Sequence, residues 1–168
     1  MQLRIMAIAR LYDQMSQSAR GSSIALQPYL GEIAESLSVS LLEPTSGIRI
    51  AVDAEALTID SERAVPFGLL VNELSTNAVK HAFPGGAGLV TISARKIGDD
   101  IELKVADDGV GIQDQGEGSA PGKHGADYVA IFARQLRGVL VRSASTGKGT
   151  AISVRFPVLL DPHVDASS

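Results

Sequence analysis

One predicted helix carries a carboxylate, an amide and an ammonium group on a single face. At about 100° per residue, Glu73, Asn77 and Lys80 fall on the same side of the helix, and His81 borders them. Such groups can coordinate Mg²⁺ and contact phosphate oxygens. The apolar residues of the same stretch form the opposite arc: Leu70, Val71, Leu74, Ala78 and Ala82.

An ordinary solvated face with an i,i+4 charge pattern is the alternative, and in an arbitrary helix it is the commoner outcome. Asparagine is a poor helix former, however, and Asn72 and Asn77 both lie inside this helix. That detail favours a functional role for the face.

A second candidate lies where a predicted strand runs into a turn. The segment 107–111 has the sequence Asp-Asp-Gly-Val-Gly, which delivers two carboxylates into a turn whose glycines let backbone approach a ligand closely. An ionised aspartate only accepts hydrogen bonds, so it pairs with a donor such as the exocyclic amine of adenine. An ordinary turn at a strand end has the same pattern. A calcium loop and a phosphate-binding P-loop do not fit, because the closing Glu and the Gly-Lys-Ser/Thr are missing.

Two further glycine-containing segments flank the last predicted helix. Residues 116–125 place glycines and Lys123 before a helix N-terminus, an arrangement that can bind anions. A long loop of small residues can also close over a ligand, although a plain flexible loop fits equally well. Residues 147–150 by themselves fit an ordinary hairpin turn.

The elements that must position these residues begin with two helical stretches in residues 1–43. Apolar residues recur at helical spacing before a break at residues 20–23 and again in a second predicted helix at 24–42. This predicts a helical hairpin, which either packs on its own domain or forms part of a dimerising bundle. The pattern favours neither.

After Gly47 the apolar period changes to two, as expected for strands. The predicted elements are a strand hairpin at 48–52 and 57–59, a helix at about 61–83, paired strands at 89–97 and 101–106, a helix at about 126–136, and strands at 139–145 and 151–156. This order predicts an α+β fold: a two-layer α/β sandwich in which helices cover one face of a mixed, largely antiparallel sheet.

Composition excludes several classes of protein. The 168 residues are 45% hydrophobic, carry a net charge of −4, and include no Cys and no apolar run long enough to span a bilayer. The three histidines are not spaced as zinc ligands are; they are His81, His124 and His163. The sequence also lacks a run of Lys and Arg that would indicate a nucleic-acid surface. The expectation is a cytoplasmic globular protein without a membrane or nucleic-acid partner, acting on a small molecule or on another protein.

Taken in order, the motifs resemble the ATP-binding domain of sensor histidine kinases. These belong to the superfamily that includes gyrase, the large heat-shock chaperone and mismatch-repair ATPases, with a Bergerat-type ATP-binding fold. The resemblance covers about residues 20–157 and is closest to the two-component subfamily with the second type of dimerisation/phosphoacceptor domain. The motifs that carry it are Asn72-Glu73-x-x-x-Asn77-Ala-x-Lys80-His81, Asp107-x-Gly109-x-Gly111, the glycine-rich loop and helix, Gln135-Leu136-x-Gly138, and Gly149-Thr150.

The resemblance implies ATP as ligand, Mg²⁺ as cofactor and a role for each matching position. Asn77 would bind the Mg²⁺ that bridges the ATP phosphates, with Asn72 and Glu73 beside it, and Lys80 and His81 would face the phosphates. Asp107 would accept the adenine amine, and Gly109 and Gly111 would shape the pocket floor. Thr150, after Gly149, would hold the adenine edge, and Lys123, His124 and Gly125 would belong to the ATP lid.

Two departures from the family pattern stand out. The lid commonly carries Gly-x-Gly-Leu, whereas this chain has Gly-Lys-His-Gly-Ala-Asp-Tyr at 122–128. The phosphoaccepting histidine would lie on a helix before residue 1, because residues 4–12 resemble the second helix of the dimerisation domain. The expectation is therefore either part of a longer kinase or a short protein that binds ATP without phosphorylating itself.

The predicted division is a helical remnant of the dimerisation and phosphotransfer domain at 1–45, the catalytic domain at 46–160 and a frayed tail at 161–168. The predicted reaction is in-line transfer of the ATP γ-phosphoryl to a histidine, with Glu73 as the hypothetical group that orients or deprotonates the nucleophile. The expected protein partners are a histidine-containing dimerisation domain, a response-regulator receiver domain and a second copy through residues 1–43. The alternatives are a degenerate module that docks a response regulator and an anti-sigma-type serine kinase.

Overall fold

The computed structural model describes Asp13 and residues 23–111, 123–144 and 148–158. Within these residues the helices are α1 (Leu26–Leu41), α2 (Ser61–His81) and α3 (Lys123–Gln135). The strands are β1 (Ser23–Ala25), β2 (Gly47–Ala54), β3 (Thr58–Asp60), β4 (Ala87–Ile97), β5 (Asp100–Asp107), β6 (Val139–Ala144) and β7 (Thr150–Pro157).

Five of the strands form one mixed sheet in the order β2-β4-β5-β7-β6. Strand β2 runs parallel to β4, with Gly47 opposite Ala87, and every other pair in the sheet is antiparallel. Alternate residues of β5 show why one face is covered: Ile101, Leu103 and Val105 are buried, whereas Lys104 is exposed. The predicted α+β fold with a largely antiparallel sheet is confirmed.

Helix α2 lies at the centre of the helical layer. The predicted apolar arc is buried at Leu70, Val71, Leu74 and Ala82 and half-buried at Ala78. Glu62 in the first turn and Lys80 and His81 in the last complement the helix dipole. The C-terminal end of the helix therefore carries these two basic side chains, and it meets the turn after β5 discussed below.

An aromatic cluster joins the N-terminal half of α2 to α1 and β7. The Phe67 ring lies 6.3 Å from that of Tyr29 and 5.9 Å from that of Phe156, centre to centre. The Tyr29 hydroxyl donates to the Ala64 carbonyl at 2.7 Å, and burial raises the pKa of this phenol. The guanidinium of Arg63 lies over the Phe156 ring, 5.6 Å from its centre.

The predicted hairpin between residues 48–52 and 57–59 is wrong. Strand β2 pairs with β4, and β3 pairs antiparallel with β1, with Ile59 opposite Ile24. Alternation of apolar residues indicates a strand but not its partner, and the turn after β2 carries the chain out of the main sheet. Residues 23–25, of which 24 and 25 were expected in the helix at 24–42, form this extra strand because the β-branched Ile24 fits a paired, buried position.

The predicted helix at about 126–136 begins three residues earlier, at Lys123, so positions 123–125 form its first turn. A glycine costs little there, because the first N–H groups of a helix have no intrahelical partner to lose. Asp13 is helical, but the rest of the first predicted helix, the loop at 112–122 and the tail beyond 158 lie outside the described residues. In the part of the chain that is described, no helix is both long and apolar enough to cross a membrane.

Candidate functional site

The polar face of α2 is accessible, as its sequence pattern predicts. Glu73 and Asn77 are half-buried, and Lys80 and His81 are exposed. Asn72 differs from its neighbours because it is buried, with an exposed fraction of 6%. Glu73, Asn77 and Lys80 are thus accessible to a ligand, whereas the Asn72 side chain is buried.

Asp107, the last residue of β5, has its carboxylate held by two backbone groups. Its Oδ1 accepts hydrogen bonds from the N–H of Gly109 at 3.0 Å and from the N–H of Thr150 at 3.2 Å. Among the described residues, no group donates to Oδ2. Oδ1 is therefore fixed by the backbone, and Oδ2 is the oxygen to which a ligand could donate.

Two glycines let the chain pass close to this carboxylate. Gly149 has φ +91°, and a Cβ at that position would lie 1.9 Å from the Asp107 carbonyl oxygen. A Cβ at Gly109 would lie 2.2 Å from the Ala82 carbonyl oxygen. Neither position can hold a larger residue without movement of backbone, so the glycines are required by close approach.

The turn after β5 is joined directly to the end of α2. The N–H of Val110 donates to the Ala82 carbonyl at 3.0 Å. Asn77 is five residues before Ala82, which places it about 7 Å back along the helix axis. The turn that follows Asp107 is therefore anchored to the C-terminal end of α2, the end that carries Asn77 and Lys80.

The structure brings some of the predicted site residues together and leaves others undescribed. Asp107, Gly109, Gly111, Gly149 and Thr150 meet at one place, where a Cβ at Gly111 would contact the Gly149 carbonyl at 3.3 Å. Lys123, His124 and Gly125 form the first turn of α3, but their side chains lie outside the description.

Sequence reasoning gave Asp108 no role of its own. Its side-chain Oδ1 accepts a hydrogen bond from the N–H of Leu89 at 2.7 Å. The sequence does show a second carboxylate directly after Asp107. The motif at 107–111 was interpreted as a whole, however, and only Asp107 was given a role.

The donor set fits a magnesium ion only in company with a ligand. No group of three or more His, Cys, Asp or Glu side chains is placed to hold a metal in the described ranges. Mg²⁺ is commonly held by one or two protein oxygens together with substrate phosphates and water. The half-buried Asn77 amide can supply one such oxygen, so the residues present are compatible with a metal that arrives with a phosphorylated ligand.

Comparison with known proteins agrees with this geometry. The profile of the family described as "Histidine kinase-, DNA gyrase B-, and HSP90-like ATPase" matches residues 62–160, which include α2, the Asp107 turn and Thr150. The chain belongs to this ATPase family. The match starts at the second residue of α2 and ends just after β7, so it covers the sheet apart from β2.

Curated members of the ATPase family that resemble the chain are histidine kinases. Blue-light-activated histidine kinase 2 of Erythrobacter litoralis is 30% identical in an alignment of 161 positions that covers 92% of this chain and 46% of the relative. Sensor histidine kinase PdtaS of Mycobacterium tuberculosis is 28% identical over 92% of this chain and 31% of its own length. The chain thus spans less than half the length of these two relatives.

A solved structure gives the same result. The histidine kinase domain of the Erythrobacter litoralis EL346 blue-light activated histidine kinase superposes with a TM-score of 0.78 at 27% identity, covering 92% of this chain and 73% of that one. The predicted resemblance to the ATP-binding domain of sensor histidine kinases is confirmed, and the two alternative classes are not favoured.

Proposed function

We propose that this chain binds ATP as the catalytic region of a sensor histidine kinase and transfers the γ-phosphoryl group to a histidine of a dimerisation domain. The observation that carries the proposal is the Asp107 carboxylate, whose Oδ1 is held by two backbone N–H groups while Oδ2 accepts no bond from the described residues. The named relatives are histidine kinases, which favours histidine over serine as the acceptor.

Adenine recognition is assigned to the turn after β5. Asp107 Oδ2 accepts the exocyclic amine of adenine, and Thr150, whose N–H orients the same carboxylate, lies at the adenine edge. Gly109, Gly111 and Gly149 keep the floor of the pocket free of side chains, since a Cβ at two of them would overlap backbone.

Phosphate binding is assigned to the polar face of α2. Asn77 would supply an oxygen to Mg²⁺ with buried Asn72 beside it, while Lys80 and His81 would face the phosphates from the C-terminal end of the helix. When bound there, Mg²⁺ would supply charge neutralisation to the phosphoryl oxygens. Lys123, His124 and Gly125 complete the proposed lid.

Glu73 is proposed to orient the accepting imidazole or to take its ring N–H proton. The attacking ring nitrogen forms a bond to the γ-phosphorus as the bond to the ADP oxygen breaks, and the proton leaves through the other nitrogen. Glu73 is half-buried on the same face as Asn77, where it can reach a group that approaches the phosphates.

Partners and location follow from the same assignment and are proposals. The chain would act on a histidine-containing dimerisation domain, signal to a response-regulator receiver domain, work in the cytoplasm and dimerise through residues 1–43. The division at 1–45 and 46–160 stays a prediction; α1 packs against α2 and β2 and thus shares the core of the catalytic domain.

Calorimetric titration of Mg²⁺-ATP tests nucleotide binding. A hydrogen bond to a charged group contributes about 1.5–3 kcal/mol, so Asp107→Asn should weaken ATP binding roughly 10- to 150-fold. Asp53→Asn, which changes an exposed aspartate on β2, is the matched control and should bind like the original chain. Absence of binding by the unchanged chain would refute the proposal.

Phosphoryl transfer is tested by supplying a histidine-containing dimerisation domain separately and following phosphohistidine with labelled ATP. Glu73→Gln should slow transfer at least about tenfold while leaving ATP affinity within about twofold, because general-base groups contribute roughly 10²–10⁴-fold. Equal rates with glutamate and glutamine would remove Glu73 from the mechanism without affecting the ATP site.

A further inference from the structure

Asp108 lies one position beyond the regular β4–β5 ladder, whose last pair is Val90 with Asp107, and it continues the pairing in an irregular way. Its backbone N–H donates to the Leu89 carbonyl at 3.2 Å, and its side-chain Oδ1 accepts from the Leu89 N–H at 2.7 Å. In a regular antiparallel pair the Leu89 N–H would donate to the backbone carbonyl of the opposing residue. The carboxylate of Asp108 replaces its own backbone carbonyl, so the chain can leave the sheet here without leaving Leu89 unpaired.

Gly88 provides the space in which this carboxylate lies. A Cβ at Gly88 would be 2.9 Å from Asp108 Oδ1 and 2.0 Å from the Phe83 ring. Phe83 follows α2 and is buried. The start of β4, the Phe83 ring and the Asp108 side chain therefore meet at a single crowded point.

The chain beyond Asp108 turns at once toward the proposed adenine site. The next N–H, that of Gly109, donates back to Asp107 Oδ1, and the N–H of Val110 donates to Ala82. The orientation of the Asp107 carboxylate thus depends on the direction in which the chain leaves residue 108. The Asp108 side chain sets that direction by holding residue 108 against Leu89.

We propose that Asp108 is a positioning residue for nucleotide recognition, which acts through Asp107 and does not itself bind the nucleotide. The inference rests on the proposed function and extends it to an exposed side chain whose hydrogen bond within the described residues is the one from Leu89. Because water competes for that contact, the effect of its loss should be moderate: a net hydrogen bond of about 0.5–1.5 kcal/mol corresponds to roughly 2- to 12-fold in affinity.

The test compares two variants and two nucleotides by calorimetry on the full chain. Asp108→Ala removes the acceptor, whereas Asp108→Asn keeps an oxygen that can accept from Leu89. ATP is compared with purine riboside triphosphate, in which hydrogen replaces the exocyclic amine. We expect Asp108→Ala to weaken ATP binding about fivefold and binding of the amine-free analogue less than about twofold. Asp108→Asn should bind both nucleotides with nearly the affinity of the original chain.

The control for a general loss of stability is Asp53→Ala, which removes an exposed aspartate from an ion pair with Arg95. Melting temperatures and exchange of the Gly109 amide proton accompany each titration, and faster exchange is expected in Asp108→Ala alone. Asp108→Ser, with a hydroxyl too short to span the same gap, takes the place of Asp108→Ala if the latter does not fold.

Three results would overturn the inference: unchanged ATP affinity in Asp108→Ala, an equal loss for both nucleotides, or no rescue by asparagine. An equal loss would show that Asp108 supports the pocket in general and not the amine contact. Failure of the unchanged chain to bind either nucleotide would refute the proposed function itself, and the inference with it.

Discussion

The two ends of helix α2 are held to the rest of the protein in opposite ways. At the N-terminal end, the buried Arg63 side chain donates to the carbonyls of Pro157 and Val158 and pairs with Asp60 at 3.2 Å. At the C-terminal end, the contacts are made by backbone, with Val110 donating to Ala82 and a glycine packed against the same carbonyl.

The difference separates stability from ligand binding. A side chain that holds a helix end in place is not available to a ligand, and Arg63 is accordingly only 2% exposed. Where backbone groups hold the helix end, the nearby side chains can contact a ligand. At the C-terminal end of α2 these side chains are Asn77, Lys80 and Asp107. Glycine is needed at the second end because backbone can approach backbone only where no Cβ intervenes.

The largest effect is expected from Gly149→Ala, near the C-terminal end of α2, where the contacts are made by backbone groups. The new Cβ would lie 1.9 Å from the Asp107 carbonyl, and φ of +91° is unfavourable for alanine. We expect a loss of at least about 3 kcal/mol in the free energy of unfolding and no measurable ATP binding. Urea denaturation and calorimetry measure both quantities.

Gly98→Ala is the matched control for that substitution. Gly98 also has a positive φ, +61°, but no atom lies within 4 Å of its added Cβ. Gly98→Ala should lower the free energy of unfolding by only about 1–2 kcal/mol and leave ATP affinity unchanged. If the two alanine variants behave alike, the close approach at Gly149 is not what matters.

Arg63→Met tests the N-terminal end of α2, which is held by the Arg63 side chain. Loss of the guanidinium leaves two carbonyls without their donor and should cost about 2–4 kcal/mol in the free energy of unfolding. ATP affinity of the folded protein should stay within about twofold, because the affected contacts lie at the far end of α2. Arg95→Met, at an exposed ion pair, should cost less than about 1 kcal/mol. A drop in ATP affinity in Arg63→Met would mean that the two ends are coupled.

Tyr29→Phe tests the same end through pH. The lost bond to Ala64 should cost about 1 kcal/mol near pH 7. Burial raises the pKa of Tyr29, so above about pH 10 the unfolded chain releases the phenolic proton before the folded chain does, and the stability of the original protein falls. The stability difference between the original protein and the Tyr29→Phe variant should therefore shrink as pH rises from about 9 to about 11. A constant difference in denaturation series would contradict the burial of this hydroxyl.

Gly31→Ala should have the smallest effect and the opposite sign. Gly31 lies inside α1, is exposed, and has no atom within 4 Å of an added Cβ. Alanine should stabilise the protein by about 0.5–1 kcal/mol, since glycine loses more backbone entropy in a helix. A lower urea midpoint for this variant would indicate that the exposed face of α1 is covered by another part of the protein.

Local patterns predicted the helices and strands of the catalytic region but not all of their partners. Apolar alternation is a property of one strand, whereas pairing of β2 with β4 depends on residues 40 positions apart, such as Gly47 and Ala87. The polar face of α2 could be predicted because helical geometry alone brings Glu73 and Asn77 together. The contacts of Arg63 and Asp108 could not, because each joins segments that only the tertiary fold brings into contact.

Strand β2 meets β4 only after the chain has passed through β3 and α2, whereas β4 and β5 are joined by the two residues Gly98 and Asp99. Closing a long loop costs more conformational entropy than closing a tight hairpin. We therefore expect the β4–β5 hairpin to form early during folding and β2 to join the sheet edge late. In pulse-labelling hydrogen exchange, the amides that pair β2 with β4 should gain protection after those between β4 and β5, so the nucleotide-binding end of the sheet would be assembled before its β2 edge is closed.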